Sequence, residues 1–233
     1  MLSIKITALE VLTIIDFFQY FSNNYIQVLE YTVEHVQLVG LAIIFSILIG
    51  VPLGIYLTTN EYLAETVLQI FSIIMTIPSI ALFGVMIPIL STIGQGIGFL
   101  PAFIALVLYS QLPIIRNTYT GIKEVDPNIR DAAKGIGMTT FQRLIKVEIP
   151  NAMPLIMAGV RTATVLNIGI GAIAAYIGAG GLGSLINQGI SRSNTTMVLV
   201  GAVVVSILAI LVDLLLKYLE KRFTPKGIKL EVR

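Results

Sequence analysis

The sequence predicts an all-α membrane protein, a polytopic helical bundle of about five transmembrane spans, and three observations support this. Hydrophobic residues make up 56% of the 233 positions and charged residues only 12%, where a water-soluble domain carries about 25% charged residues. Five stretches are apolar over the length that crosses a bilayer, about 20 helical residues. Lysine and arginine gather in two segments separated by two of those stretches, as a chain with one basic side requires.

Taken in order, residues 8–21 (ALEVLTIIDFFQYF) read as an interfacial amphipathic helix within an extracytoplasmic segment, 1–35. Glu10 and Asp16 interrupt the apolar pattern, and no small-residue cleavage site follows, which argues against a secretory signal. The transmembrane domain is expected over 36–226. Its first span covers 36–57, with Pro52 near the end. The second covers 67–90 and is interrupted by Pro78 and Pro88. The third covers 99–115 and is opened by Pro101, where a missing N–H costs nothing. The fourth and fifth spans cover 152–177 and 196–216, and a short tail, 227–233, closes the chain.

Six of the 15 basic residues lie in 116–150 and six more at 217–233. Both segments are therefore expected on the cytoplasmic side, with the C-terminus inside and the N-terminus outside. The connection at 58–66 fits poorly, since it holds Glu61 and Glu65 without a lysine or arginine.

The polar interruption at 119–150 has local structure of its own. Asp126 is placed to cap a helix beginning at Pro127. Gly135 and Gly137 loosen that helix, and Gly137 permits a bend. A second helix starts near Thr139 or Thr140, carries Phe141, Leu144, Ile145 and Glu148 at helical spacing, and stops at Ile149-Pro150. Ala132 and Ala133 would let another surface approach the backbone closely.

Several chemistries are excluded. There is no cysteine and a single histidine, His35, so no His/Cys metal site and no catalytic residue is assigned. His35, beside Glu34, reads as an interfacial residue. The net charge of +2 gives no reason to expect nucleic acid. A phosphate-cradling G-x-x-x-x-G-K-[ST] loop is absent, so ATP chemistry would belong to another chain. The run from Gly178 to Gly183 has the form G-x-G-x-x-G. It closes a membrane span, and no acidic residue follows within 20 positions, so it reads as an unwound or re-entrant turn.

The polar segment resembles the "EAA" loop of ABC importer permeases. That pattern is Glu-Ala-Ala, three residues, Gly, nine residues, Ile, any residue, Leu, Pro. Here Asp131, Ala132, Ala133, Gly137, Val147, Ile149 and Pro150 occupy its positions, with Asp for Glu, Val for Ile and Ile for Leu. The resemblance implies a type I importer-like permease whose loop forms coupling helices docked on a cytoplasmic ABC ATPase subunit. It also implies ATP and magnesium on that partner, no cofactor on this chain, a second permease subunit (identical or homologous), an extracytoplasmic substrate-binding protein, and a bacterial plasma-membrane setting in contact with lipid.

The stretches IGVPLGI (49–55), TIPSIALFG (76–84), LPIIRNTYTGI (112–122), AGVRTATV (158–165) and YIGAGGLGSLINQGI (176–190) look like the osmoprotectant branch of these permeases. That branch carries glycine betaine, carnitine or choline. An aromatic cage normally selects such cations. This chain has no tryptophan, so selection is expected in the external binding protein.

Candidate gate or path residues are Pro78 and Ser79 at the broken second span, Tyr109 and Asn167 among the polar residues on spans, Arg161, and Gly180 and Gly181. Arg161 reads either as a snorkelling or carboxylate-paired arginine or as a pore residue. Asp213 and Lys217 are spaced as a helix-end pair. An ion-coupled secondary transporter or channel subunit is the alternative, and it needs intramembrane carboxylates for which the spans offer only Asp213. An intramembrane enzyme ranks last, because almost no buried acid or base is available.

Overall fold

A computed structural model describes residues 14–223. Residues 8–13 of the expected amphipathic helix and the 227–233 tail lie outside the described residues. The described part of α1 covers 14–23. There follow α2 (Tyr25–Leu57), α3 (Glu61–Thr76), α4 (Ser79–Ser91), α5 (Phe99–Lys123), α6 (Pro127–Gly135) and α7 (Thr140–Arg143). A π-helical turn (Leu144–Glu148) leads into α8 (Ile149–Ile173) and a 3-10 turn (Ala174–Ile177), before α9 (Gly183–Ser191) and α10 (Thr195–Phe223).

Helices α2, α5, α10 and the run 140–177 are each long and apolar enough to cross a membrane, while α3 and α4 form a sharply bent pair. The helices outrun the apolar stretches. Helix α2 starts at Tyr25, α5 continues to Lys123 through Pro113, and α10 continues to Phe223. Apolar length measures hydrocarbon thickness, whereas a helix runs on until a cap or a proline stops it.

The second span breaks where its first proline predicts. Ile77 and Pro78 are extended, with ψ of 128° and 136°; for Ile77 this is the conformation that the following proline ring imposes. Pro88 does not interrupt the chain as expected and lies within α4. Its ring crowds the carbonyl four residues back. That carbonyl belongs to Gly84, which stands in open space.

The acidic 58–66 connection has a local explanation. Asn60 caps α3 by accepting from the Leu63 amide at 3.1 Å, and Glu61 occupies the first turn, where the helix dipole favours a negative charge.

The chain forms two compact units of interleaved segments. Among the described residues, one takes 14–41 with 78–106 and 168–210, and the other takes 42–77, 107–167 and 211–223. The sequence carries no sign of this division.

In the first unit Val28, Leu182, Leu185, Met197 and Val200 form the buried centre, with Phe17, Tyr20 and Tyr31 packed against it. Helix α1 is therefore sided: Phe17 and Tyr20 turn inward, while Ile14, Ile15, Phe18 and Phe21 stay exposed.

In the second unit α5 is central. Its Ile115 packs with Leu57 and Ala64, and its Ile122 with Ala152 and Ile156. Small residues let the helices close up. A Cβ on Gly159 of α8 would lie 2.7 Å from the Pro113 carbonyl oxygen of α5.

Candidate functional site

The polar segment folds by a series of local devices. The Asp126 carboxylate accepts from the Asn128 amide at 2.8 Å, and Pro127 opens α6. The Gly137 and Met138 amides bond back to the Lys134 and Ala133 carbonyls. This closure needs a left-handed residue, and Gly137 supplies it with φ of 81°. Thr139 and Gln142 then exchange side-chain-to-backbone bonds at 2.9 and 3.2 Å, a complete capping box that starts α7.

The expected stop at Ile149-Pro150 does not occur, and the chain runs on into α8. Pro150 has no N–H to donate, and the preceding turn widens to the π form, with Ile149 N–H bonding to the Leu144 carbonyl. The Asn151 amide takes up the Val147 carbonyl at 2.7 Å. The loop is therefore joined to a span by continuous helix.

A charge clamp holds the segment together. Glu148 is 7% exposed. It accepts from Arg143 Nε at 2.7 Å and lies 3.6 Å from Arg130 Nε. Arg130 also donates to the Ile122 carbonyl near the end of α5. One carboxylate thus ties α6 and α7 to the π turn, while Arg130 ties α6 to α5.

The matched loop residues take different positions. Asp131 is exposed and pairs with Lys134 at 2.9 Å, a surface pair of small energetic weight. Ala132 faces outward, but Ala133 is buried. Only the first of the two alanines can therefore admit an outside surface, because adjacent helical positions point about 100° apart. Val147, Ile149 and Pro150 are half-buried, and Ile149 packs on the Ile122–Ala152–Ile156 cluster. Around them stand exposed apolar side chains, notably Ile136 (75%) and Phe141 (71%).

The candidate path residues fall in both units. In the second, Arg161 grips both oxygens of Asp213 at 2.9 and 3.1 Å and reaches Glu220 at 3.1 Å. The geometry is that of a carboxylate-paired arginine. It also replaces the expected Asp213–Lys217 pair, since the guanidinium fork matches a carboxylate better than an ammonium does. Tyr109 is buried and donates its hydroxyl to the Ile77 carbonyl, the one at the break. Asn167 is buried and bonds Ser110 Oγ at 2.7 Å.

In the first unit Pro78 and Ser79 open α4. Gly180 and Gly181, with φ of 78° and 76°, form the expected turn after the 3-10 segment. The Gly181 amide donates to Glu34 at 2.8 Å. His35 is fully buried within the protein, with Nε2 3.1 Å from the Ile168 carbonyl, in space that Gly171 and Gly181 leave by lacking a Cβ.

Sequence reasoning did not assign roles to Glu148, Arg130, Arg143, Glu220 or Glu34. Two of these left a signal. Glu148 is the only acid between Asp131 and Pro150, among Lys134, Arg143 and Lys146, and Asp213 and Glu220 are spaced i, i+7, on one face of α10.

Residues 46–225 match the family described as "Binding-protein-dependent transport system inner membrane component". The chain is similar to the osmoprotectant import permease protein OsmW of Salmonella typhimurium, 51% identical over 92% of this chain and 100% of that protein. It is also similar to the choline transport system permease protein OpuBB of Bacillus subtilis, 43% identical over 91% of this chain and 95% of that one. Among solved structures, the MetNI methionine ABC transporter in an inward-facing conformation matches with a TM-score of 0.77 and 25% identity. That match covers 85% of this chain and 96% of the other.

Proposed function

Since the chain belongs to the binding-protein-dependent transport system inner membrane components, we propose that it forms the translocation path for a small compatible solute of the glycine betaine, carnitine or choline class. The full-length similarity to osmoprotectant and choline permeases carries this reading. It is the transmembrane permease subunit of an ABC importer. ATP and magnesium are handled by a separate ATPase, which docks on the 128–150 loop of the 36–226 permease domain and takes contacts from Asp131, Ala132, Ile136 and Phe141. A second permease subunit and an external binding protein complete the transporter. The basic segments support a cytoplasmic loop and C-terminus and an external N-terminus.

Several features support the coupling role. The loop is internally clamped and continuous with α8, so motion imposed on it is delivered to a span as rigid-body displacement. The ion-coupled alternative loses its candidate site, because Asp213 is engaged by Arg161.

Gly137 provides the test. A β-carbon there meets no neighbour within 4 Å, so substitution acts through the backbone alone, at about 1–2 kcal/mol for the left-handed conformation. Gly137→Val is expected to insert normally and abolish uptake of radiolabelled glycine betaine into membrane vesicles. Gly137→Asn, which tolerates this conformation, retains most of it. Full uptake by Gly137→Val would remove the coupling assignment.

A further inference from the structure

A cavity of about 660 Å³ lies in the second unit where α2 and α5 end. Ile55 and Ile122 form an apolar part of its wall, while Lys123, Arg130 and Arg143 bring three cations against the single carboxylate of Glu148. The cations outnumber the acid, and Arg130 Nε has no hydrogen-bond acceptor.

The C-terminal ends of α2 and α5 would ordinarily repel an anion. Here three of their carbonyls are already taken by side chains. Thr58 and Thr59 hydroxyls donate to Ile55 and Tyr56 at 2.7 Å, and Arg130 covers Ile122. What remains is a positive pocket with an apolar side, at the level where two spans give way to polar chain. Its volume suits a ligand with both a charged and a greasy part.

We propose that this cavity binds a phosphate-bearing anion, supplied by the headgroup of an anionic phospholipid whose glycerol and upper acyl atoms rest on Pro52 and Ile55 of its wall. A lipid held there ties the loop carrying Arg130 and Arg143 to the bilayer. The inference does not depend on the transport reading, because binding is measured without transport.

The chain contains no tryptophan, and Tyr56, which lines the cavity, is 60% exposed. Tyr56→Trp therefore installs a unique fluorophore in the full chain. The variant is reconstituted in phosphatidylcholine vesicles carrying equal fractions of brominated phosphatidylglycerol or brominated phosphatidylcholine. Brominated phosphatidylglycerol is expected to quench more strongly. Adding Lys123→Gln should lower that preference about fivefold, the weight of one basic residue at a membrane surface, while Arg192→Gln leaves it unchanged. Millimolar inorganic phosphate should not disturb it. If phosphate abolishes the preference, the ligand is a free anion and the lipid source is wrong. Equal quenching by both lipids with no response to phosphate overturns the site altogether.

Discussion

Glu148→Gln is expected to destabilise the 127–148 segment by about 3 kcal/mol, the scale for removing one partner of a buried ion pair. Glu148, 7% exposed, accepts a hydrogen bond from Arg143 and is the ion-pair partner of Arg130 at 3.6 Å. An amide leaves two guanidinium groups without their counter-charge. Limited trypsin digestion of membranes reads the effect directly: cleavage at Arg130, Lys134, Arg143 and Lys146 accelerates, while the spans stay protected. Solute uptake falls with it, because a loosened loop no longer delivers displacement to α8. The pair Arg143→Met and Glu148→Met should be less damaging together than the sum of the two, since the double variant buries fewer unpaired charges. Additive effects would mean that the clamp is incidental.

The second large effect concerns Arg161, which lies on a membrane span and holds Asp213 and Glu220. Arg161→Met strands two carboxylates, each costing about 3 kcal/mol if placed near a helix centre in lipid. The partial exposure of these groups reduces that figure. The expected result is a sharp loss of folded protein in membranes, measured by yield and by thermal aggregation in mild detergent. The triple variant Arg161→Met, Asp213→Asn, Glu220→Gln removes the stranded charge and should recover yield. Transport by the triple variant then separates the two readings of Arg161. Recovered uptake makes the triad a fastening between α8 and α10. Recovered yield without uptake gives the arginine a place on the path.

What the sequence made legible was local. The Asp126-Pro127 start, the bend at Gly137, the helix start at Thr139–Thr140 and the break at Pro78 each follow from the conformational limits of one or two residues, and each is found in the structure. Helix ends were harder, because hydropathy reports lipid depth rather than where a helix stops. The π turn was illegible for a related reason. A proline reads as a terminator, but here a widened turn and the Asn151 side chain absorb its missing donor.

The polar ties were illegible because they span sequence distance. Arg161 meets acids 52 and 59 residues away, and Glu34 meets Gly181 at a separation of 147. Nothing in a single sequence pairs such residues. Burial of His35 likewise depends on glycines from another part of the chain, which leave room for an imidazole. Tyr109 and Asn167 were singled out as polar residues on spans. Their bonds to Ile77 and Ser110 give each an internal partner that polarity alone did not indicate.

The central claim is that this chain is driven by ATP hydrolysed on another subunit and carries a compatible solute. The most direct measurement reconstitutes the chain in liposomes with the ATPase and external binding protein of its own transport system. Uptake of radiolabelled glycine betaine, carnitine and choline is then followed with and without enclosed ATP. Accumulation of at least one of these solutes only with ATP, and its loss in Gly137→Val, is the predicted result. Accumulation driven by an ion gradient without ATP, or no requirement for the ATPase subunit, would contradict it.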